Sequence, residues 1–215
     1  MNKKLVIIVI AVIVVLGGAS AYLLTQKNAG DNKSDDTTKT SDTADSDAKK
    51  YNDACKIFTK EEIAAALGGT YGDGEEEYAP STASPGSDNY EDLKGSACNF
   101  KQDNDGSTAG MTAALDLSVA INNYASVADA KTFMNDLRHP QTTEAQEAVG
   151  QATDVDGVGD QAFFPVIKTA ESTYEKTEAL YVLVGRQVIV LTTTQLDGVD
   201  RDAVRSGLTT LAKKL

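Results

Sequence analysis

The chain contains no tryptophan, one histidine, two cysteines and four prolines. Each scarcity removes some chemistry. Without an indole, the best aromatic platform for stacking a sugar is missing. One histidine and two cysteines that can pair with each other leave too few ligands for a zinc site. A histidine-dependent nucleophilic triad would have to use His139, which stands before Pro140 at the end of a helical pattern. There a polar side chain serves the last carbonyls of the helix. The Cys-x-x-Cys, Gly-x-Ser-x-Gly, phosphate-loop and dinucleotide patterns are all missing from the sequence. No catalytic residue, cofactor site or metal site is expected, so the reading leans away from an enzyme without closing that question.

Positive charge is also scarce. Twenty basic residues face 32 acidic ones, for a net charge of −12. Two of the twenty are Lys3 and Lys4, so 18 remain against 32 beyond them. Such a surface repels phosphate backbones, and no nucleic-acid partner is expected.

One long apolar run is present. Residues 5–24 (LVIIVIAVIVVLGGASAYLL) carry no charge. Twenty helical residues reach roughly 30 Å, the thickness of a bilayer's hydrocarbon core. Lys3 and Lys4 before it predict a cytoplasmic stub over residues 1–4 and an exported remainder. Ala19-Ser20-Ala21 also fits a small-x-small cleavage pattern, which would release a secreted protein after Ala21. The apolar run continues through Leu24, and that length favours an uncleaved signal anchor in the cytoplasmic membrane, single-pass with its N-terminus inside. No cysteine near the end of the run can carry a lipid.

Residues 25–50 hold almost only Asp, Lys, Ser, Thr, Asn and Ala. Such a segment cannot bury enough surface to offset its ordering and is expected to be a disordered linker. As a coil it spans roughly 30 Å.

Residues 51–215 read as one extracytoplasmic domain. Its first helix is fully specified: Thr59 caps, Glu62 completes a capping box, Phe58 and Ile63 form a staple, and Gly68-Gly69 stops a helix over Lys60–Leu67. Residues 72–95, acidic and rich in Pro, Gly and Ser, read as a long exposed loop. Strand patterns follow at 97–101 and at 111–121, where Leu115, Leu117, Val119 and Ile121 alternate with smaller or polar residues. Ser126 caps a second helix whose apolar stripe is Val127, Ala130, Phe133, Met134 and Leu137. Residues 141–153 read as loop and 161–167 as strand. The strands 178–184 and Gln187–Thr194 are joined by Gly185-Arg186, a hairpin turn with glycine first. Val188 to Leu191 is apolar on both faces, which predicts a central, covered strand. Asp200 caps a last helix with Val204, Leu208, Leu211 and Leu215 facing inward. The expected fold is α+β: a mostly antiparallel sheet with about three helices.

Cys55 and Cys98 are expected to form a disulfide, as an even count in an exported domain implies. Two acidic runs carry part of a calcium loop, Asp103-Asn104-Asp105-Gly106 and Asp154-Val155-Asp156-Gly157-Val158-Gly159-Asp160. Neither has the full oxygen ladder ending in Glu, and ordinary turns use the same residues.

The stretch from Cys55-Lys-Ile-Phe-Thr-Lys-Glu-Glu to Leu67-Gly68, with Cys98 and Gly157-Val158-Gly159-Asp160-Gln161-Ala162-Phe163, resembles exported actinobacterial lipoprotein domains of unknown function. It is similar in style to the extracellular sensor domain of a mycobacterial serine/threonine kinase. The resemblance covers residues 53–215 and implies a sheet-and-helix domain with no assigned activity. Two features depart from it: no lipid-bearing cysteine, and the long acidic loop. The sequence thus leads to a membrane-anchored extracytoplasmic binding or sensing domain that meets an unknown envelope ligand or protein. The alternatives are a cell-envelope enzyme using carboxylates and a structural or assembly factor of the envelope.

Overall fold

The computed structural model describes residues 49–103, 115–139, 152–165, 177–194 and 199–215. They form one seven-stranded antiparallel sheet with three α-helices. The strands are β1 (Glu75–Glu77), β2 (Ser96–Phe100), β3 (Leu117–Asn123), β4 (Thr153–Asp154), β5 (Gln161–Phe164), β6 (Thr177–Val184) and β7 (Gln187–Thr194). Their order across the sheet is β1-β2-β3-β7-β6-β5-β4. The helices are α1 (Lys60–Leu67), α2 (Val127–Arg138) and α3 (Arg201–Ala212), and a 3-10 turn at Ala54–Lys56 precedes α1.

The local signals in the sequence act as they should. Thr59 accepts from the Glu62 amide at 3.2 Å, and the Glu62 carboxylate accepts from the Thr59 amide at 2.9 Å, which closes the capping box. Gly68 takes a positive φ and ends α1. Ser126 caps α2 and Asp200 caps α3. Gly185 turns the β6–β7 hairpin with a φ of 57°.

Helices cover both faces of the sheet, and the alternation along each strand decides which side chain meets which. Ile189 and Leu191 of β7, with Leu180 and Val182 of β6, point to the α1/α3 side. Val188 and Val190, with Tyr181 and Leu183, point to the α2 side. Strand β7 therefore lies fourth of seven and is covered twice, as its unbroken apolar run predicts. Burying Val204, Leu208 and Leu211 of α3 against that core is worth about 1.5–3 kcal/mol per side chain.

Several boundaries differ from those the sequence suggests. Strand β2 begins at Ser96 rather than 97. Strand β3 runs on to Asn123, and the expected residues 111–114 lie outside the described residues, as do 166–167 beyond β5. Residues 72–95 are not a plain loop: Glu75–Glu77 pairs with Ala97 to Asn99 as the edge strand β1. The all-polar sequence of β1 concealed it, because an edge strand with both faces wet shows no alternation. Thr153–Asp154 likewise pairs with β5 where a loop is expected. Lys49 and Lys50, assigned by composition to the linker, belong to the fold, because tertiary hydrogen bonds hold them. Among the described residues no helix is long and apolar enough to cross a membrane. The anchor expected at 5–24 and all but the last two residues of the linker expected at 25–50 lie outside those residues.

Candidate functional site

Cys55 and Cys98 are joined in a disulfide with their Cα atoms 5.1 Å apart. The bond ties the 3-10 turn to the middle of β2. Gly74 packs directly on it, since a Cβ there would sit 2.5 Å from the Cys98 Sγ. Pairing of Glu75–Glu77 with β2 then holds the start of the acidic segment 72–95 to the sheet beside the bridge.

The remainder of that segment folds back on itself. The Thr82 amide donates to the Leu93 carbonyl at 3.2 Å and the Gly95 amide to the Pro80 carbonyl at 3.2 Å. Leu93 is buried beneath. The Thr82 hydroxyl donates to the Asn123 carbonyl at the end of β3. At this end of the sheet the segment meets the hairpin turn. Arg186 forks onto Asp92 at 2.9 and 3.2 Å and donates to the Tyr124 carbonyl at 2.7 Å. Lys49 reaches the same Asp92 at 3.1 Å. Arg186 and Lys49 together hold the Asp92 carboxyl below its ordinary range.

Beside this fork lies Gln187, with no exposed surface. Its carboxamide oxygen accepts from the amides of Lys50 at 2.7 Å and Tyr51 at 2.9 Å. Its nitrogen donates to the Tyr51 carbonyl at 2.6 Å and to Asn123 Oδ1 at 2.7 Å. All four bonding positions of the carboxamide are filled. Asn123 donates onward to the Lys94 carbonyl at 2.6 Å. The Tyr51 hydroxyl donates to the Leu215 backbone oxygen at 2.7 Å, and the Lys50 ammonium donates to the same atom. The first described residues, the last one and the acidic segment therefore converge on one end of β3 and β7.

The other candidates fall elsewhere. His139 is the residue that closes α2, and its amide donates to the Asn135 carbonyl at 2.7 Å. Of the first acidic run only Asp103 is described. In the second run, Asp154 pairs with Arg138, and Asp160 accepts from the Gly185 amide at 2.7 Å. Gly159 has a φ of 54° and passes so close to β6 that a Cβ would lie 2.5 Å from the Leu183 carbonyl. The Gly-Val-Gly-Asp turn thus locks β5 onto the β6–β7 hairpin, with Asp160 spent on that task. Among the described residues no three metal-ligating side chains gather.

At the opposite end of the sheet, Glu178 is buried between Arg201 and Arg205 of α3. Arg205 also lies over the Phe164 ring at 5.1 Å. The carboxyls of Asp53, Glu62 and Asp73 are each held low by a lysine partner at the surface. Lys56, Lys60 and Lys101 are raised by their carboxylate partners, and burial raises three tyrosines. Burial pushes Tyr71 and Tyr181 up to about 12 and raises Tyr124 as well. Lowered surface carboxyls are what ion pairing produces; a general acid requires the reverse.

No protein-family model matches the chain. No curated protein matches it. Among solved structures, the extracellular domain of PknH from Mycobacterium tuberculosis aligns over 73% of this chain and 91% of that one. The identity is 10% and the TM-score 0.38, a likeness too slight to assign a function. The candidate site therefore stands on its own residues. Sequence reasoning found the disulfide and the hairpin but missed Gln187, Asn123 and Arg186. A glutamine directly before the apolar run Val188 to Leu191 was the available signal.

Proposed function

We propose that this chain is a membrane-tethered extracytoplasmic binding or sensing domain, whose working surface is the acidic segment 72–95 at the end of β3 and β7. The observation that supports it best is the Cys55–Cys98 bridge. Such a bond belongs to an oxidising compartment, and it secures β2, the strand on which Glu75–Glu77 of that segment is paired. The uncharged run at 5–24 behind Lys3 and Lys4 supports export and anchoring. The segment carries Glu75, Glu76, Glu77, Asp88, Glu91 and Asp92, together with Tyr78, which is 82% exposed. Acidic groups around an exposed aromatic suit a cationic partner.

Two measurements test the reading. Thiol alkylation of whole cells under non-reducing conditions should label neither cysteine, and protease added outside should digest the domain. The full chain in detergent should then retain a component of envelope extract, and do so less well at high salt. Labelled cysteines in intact cells would place the domain inside. Retention of nothing, with turnover of a hydrolase substrate panel, would hand the function to an enzyme.

A further inference from the structure

We infer that the pair Arg186-Gln187 couples the acidic segment to the point where the chain joins its membrane tether, so that a change in one is felt by the other. The inference deepens the sensing reading by supplying its means of transmission.

Two routes of direct polar contacts connect the segment to residues 49–51. One runs from the Lys94 carbonyl through Asn123 to Gln187, and from Gln187 to the amides of Lys50 and Tyr51. The other is direct: Asp92, held in place by the Arg186 fork, pairs with Lys49. Gln187 carries the first route and the adjacent Arg186 positions the aspartate of the second. Buried carboxamides transmit well for a simple reason: Gln187 cannot lose a partner on one side without leaving a donor or acceptor unsatisfied, so its neighbours must shift with it.

Residues 49–51 suit the role of a two-position element. They form no part of a helix or strand. Their hold on the fold is mainly polar, through Gln187, Asp92 and the Leu215 backbone oxygen, with the half-buried Tyr51 ring the main apolar contribution. Little apolar burial opposes their release, so the polar contacts that the acidic segment helps to hold set the balance. Coupling of this kind is reciprocal by thermodynamic necessity.

Hydrogen exchange of the full chain in detergent micelles, read by mass spectrometry with residue-level fragmentation, tests it from both ends. Asp92→Asn, at an exposed site that leaves the core intact, should speed exchange of the Lys50 and Tyr51 amides by about fivefold or more. Lys49→Met should speed the Thr82 and Gly95 amides of the acidic segment by a similar factor. Amides within β7 should not change in either variant. If Lys50 and Tyr51 are unmoved by Asp92→Asn, or Thr82 and Gly95 by Lys49→Met, the coupling does not exist. Equal acceleration of β7 would also overturn it, because the variant would then be loosening the whole fold. The result does not depend on capturing a partner. Coupling without any retained ligand would overturn the sensing reading alone.

Discussion

Opening the Cys55–Cys98 bridge should cost this domain much of its stability. The two cysteines are 43 residues apart in sequence. In the chain-entropy view, closing a loop of that length removes about 4 kcal/mol of freedom from the unfolded state. A domain of this size is stable by only about 5–15 kcal/mol, so the bond decides whether the fold has a margin at body temperature. Two perturbations separate the covalent contribution from packing. Reduction with a thiol retains both sulfurs, which part only to nonbonded contact, and should cost about 4 kcal/mol. The double variant Cys55→Ala/Cys98→Ala also removes two sulfurs from the core, one of them beside Gly74, and should cost up to about 1 kcal/mol more. Urea unfolding followed by circular dichroism reads both, and the melting temperature should fall by about 8–16 °C. The urea slope should steepen in both cases, because an uncrosslinked unfolded chain exposes more surface. A loss below about 1 kcal/mol would refute the loop-closure reasoning. A full loss with an unchanged slope would show that the bond acts on the native state instead.

Two further outcomes follow from particular contacts. Gly207 lies in the interior of α3, where alanine is normally better by about 1 kcal/mol. Here its missing Cβ would fall 2.5 Å from the Ala66 carbonyl of α1, so Gly207→Ala should destabilise by about 1–2 kcal/mol in urea, while Ser206→Ala one position away should be close to neutral. Asp92 has a folded pKa below its ordinary value of 3.8, so its contribution is complete above about pH 5 and is lost as pH falls through the folded value. The gap in melting temperature between the native chain and Asp92→Asn should therefore be present at pH 6 and shrink by pH 3, and a gap that widens in acid would contradict the sign.

Much of the architecture could be read from residue order because the signals were local. Thr59 and Glu62 are three residues apart, and their reciprocal bonds need nothing beyond one helical turn. Gly185 makes its hairpin by backbone freedom alone. The double-sided apolar run of β7 announced that both faces would be covered, though not by which helix. Edge strand β1 was invisible for the opposite reason: Glu75–Glu77 has no buried face, and only its pairing with β2 makes it a strand. The site was least legible of all. Asn123 and Gln187 stand 64 positions apart and become neighbours only because β3 pairs directly with β7 across three intervening strands of sequence. Lys49 and Lys50 look like any other linker residues until Asp92 and Gln187 hold them.

By itself the sequence determined the acidic character, the three helix caps and the cysteine pair, since each depends on composition or on residues within a few positions. Tertiary structure alone decided that the 3-10 turn, β2, the acidic segment and the incoming chain would meet at shared points. That decision rests on the strand order, which brings a buried glutamine to the one place where the backbone of Tyr51 can satisfy it.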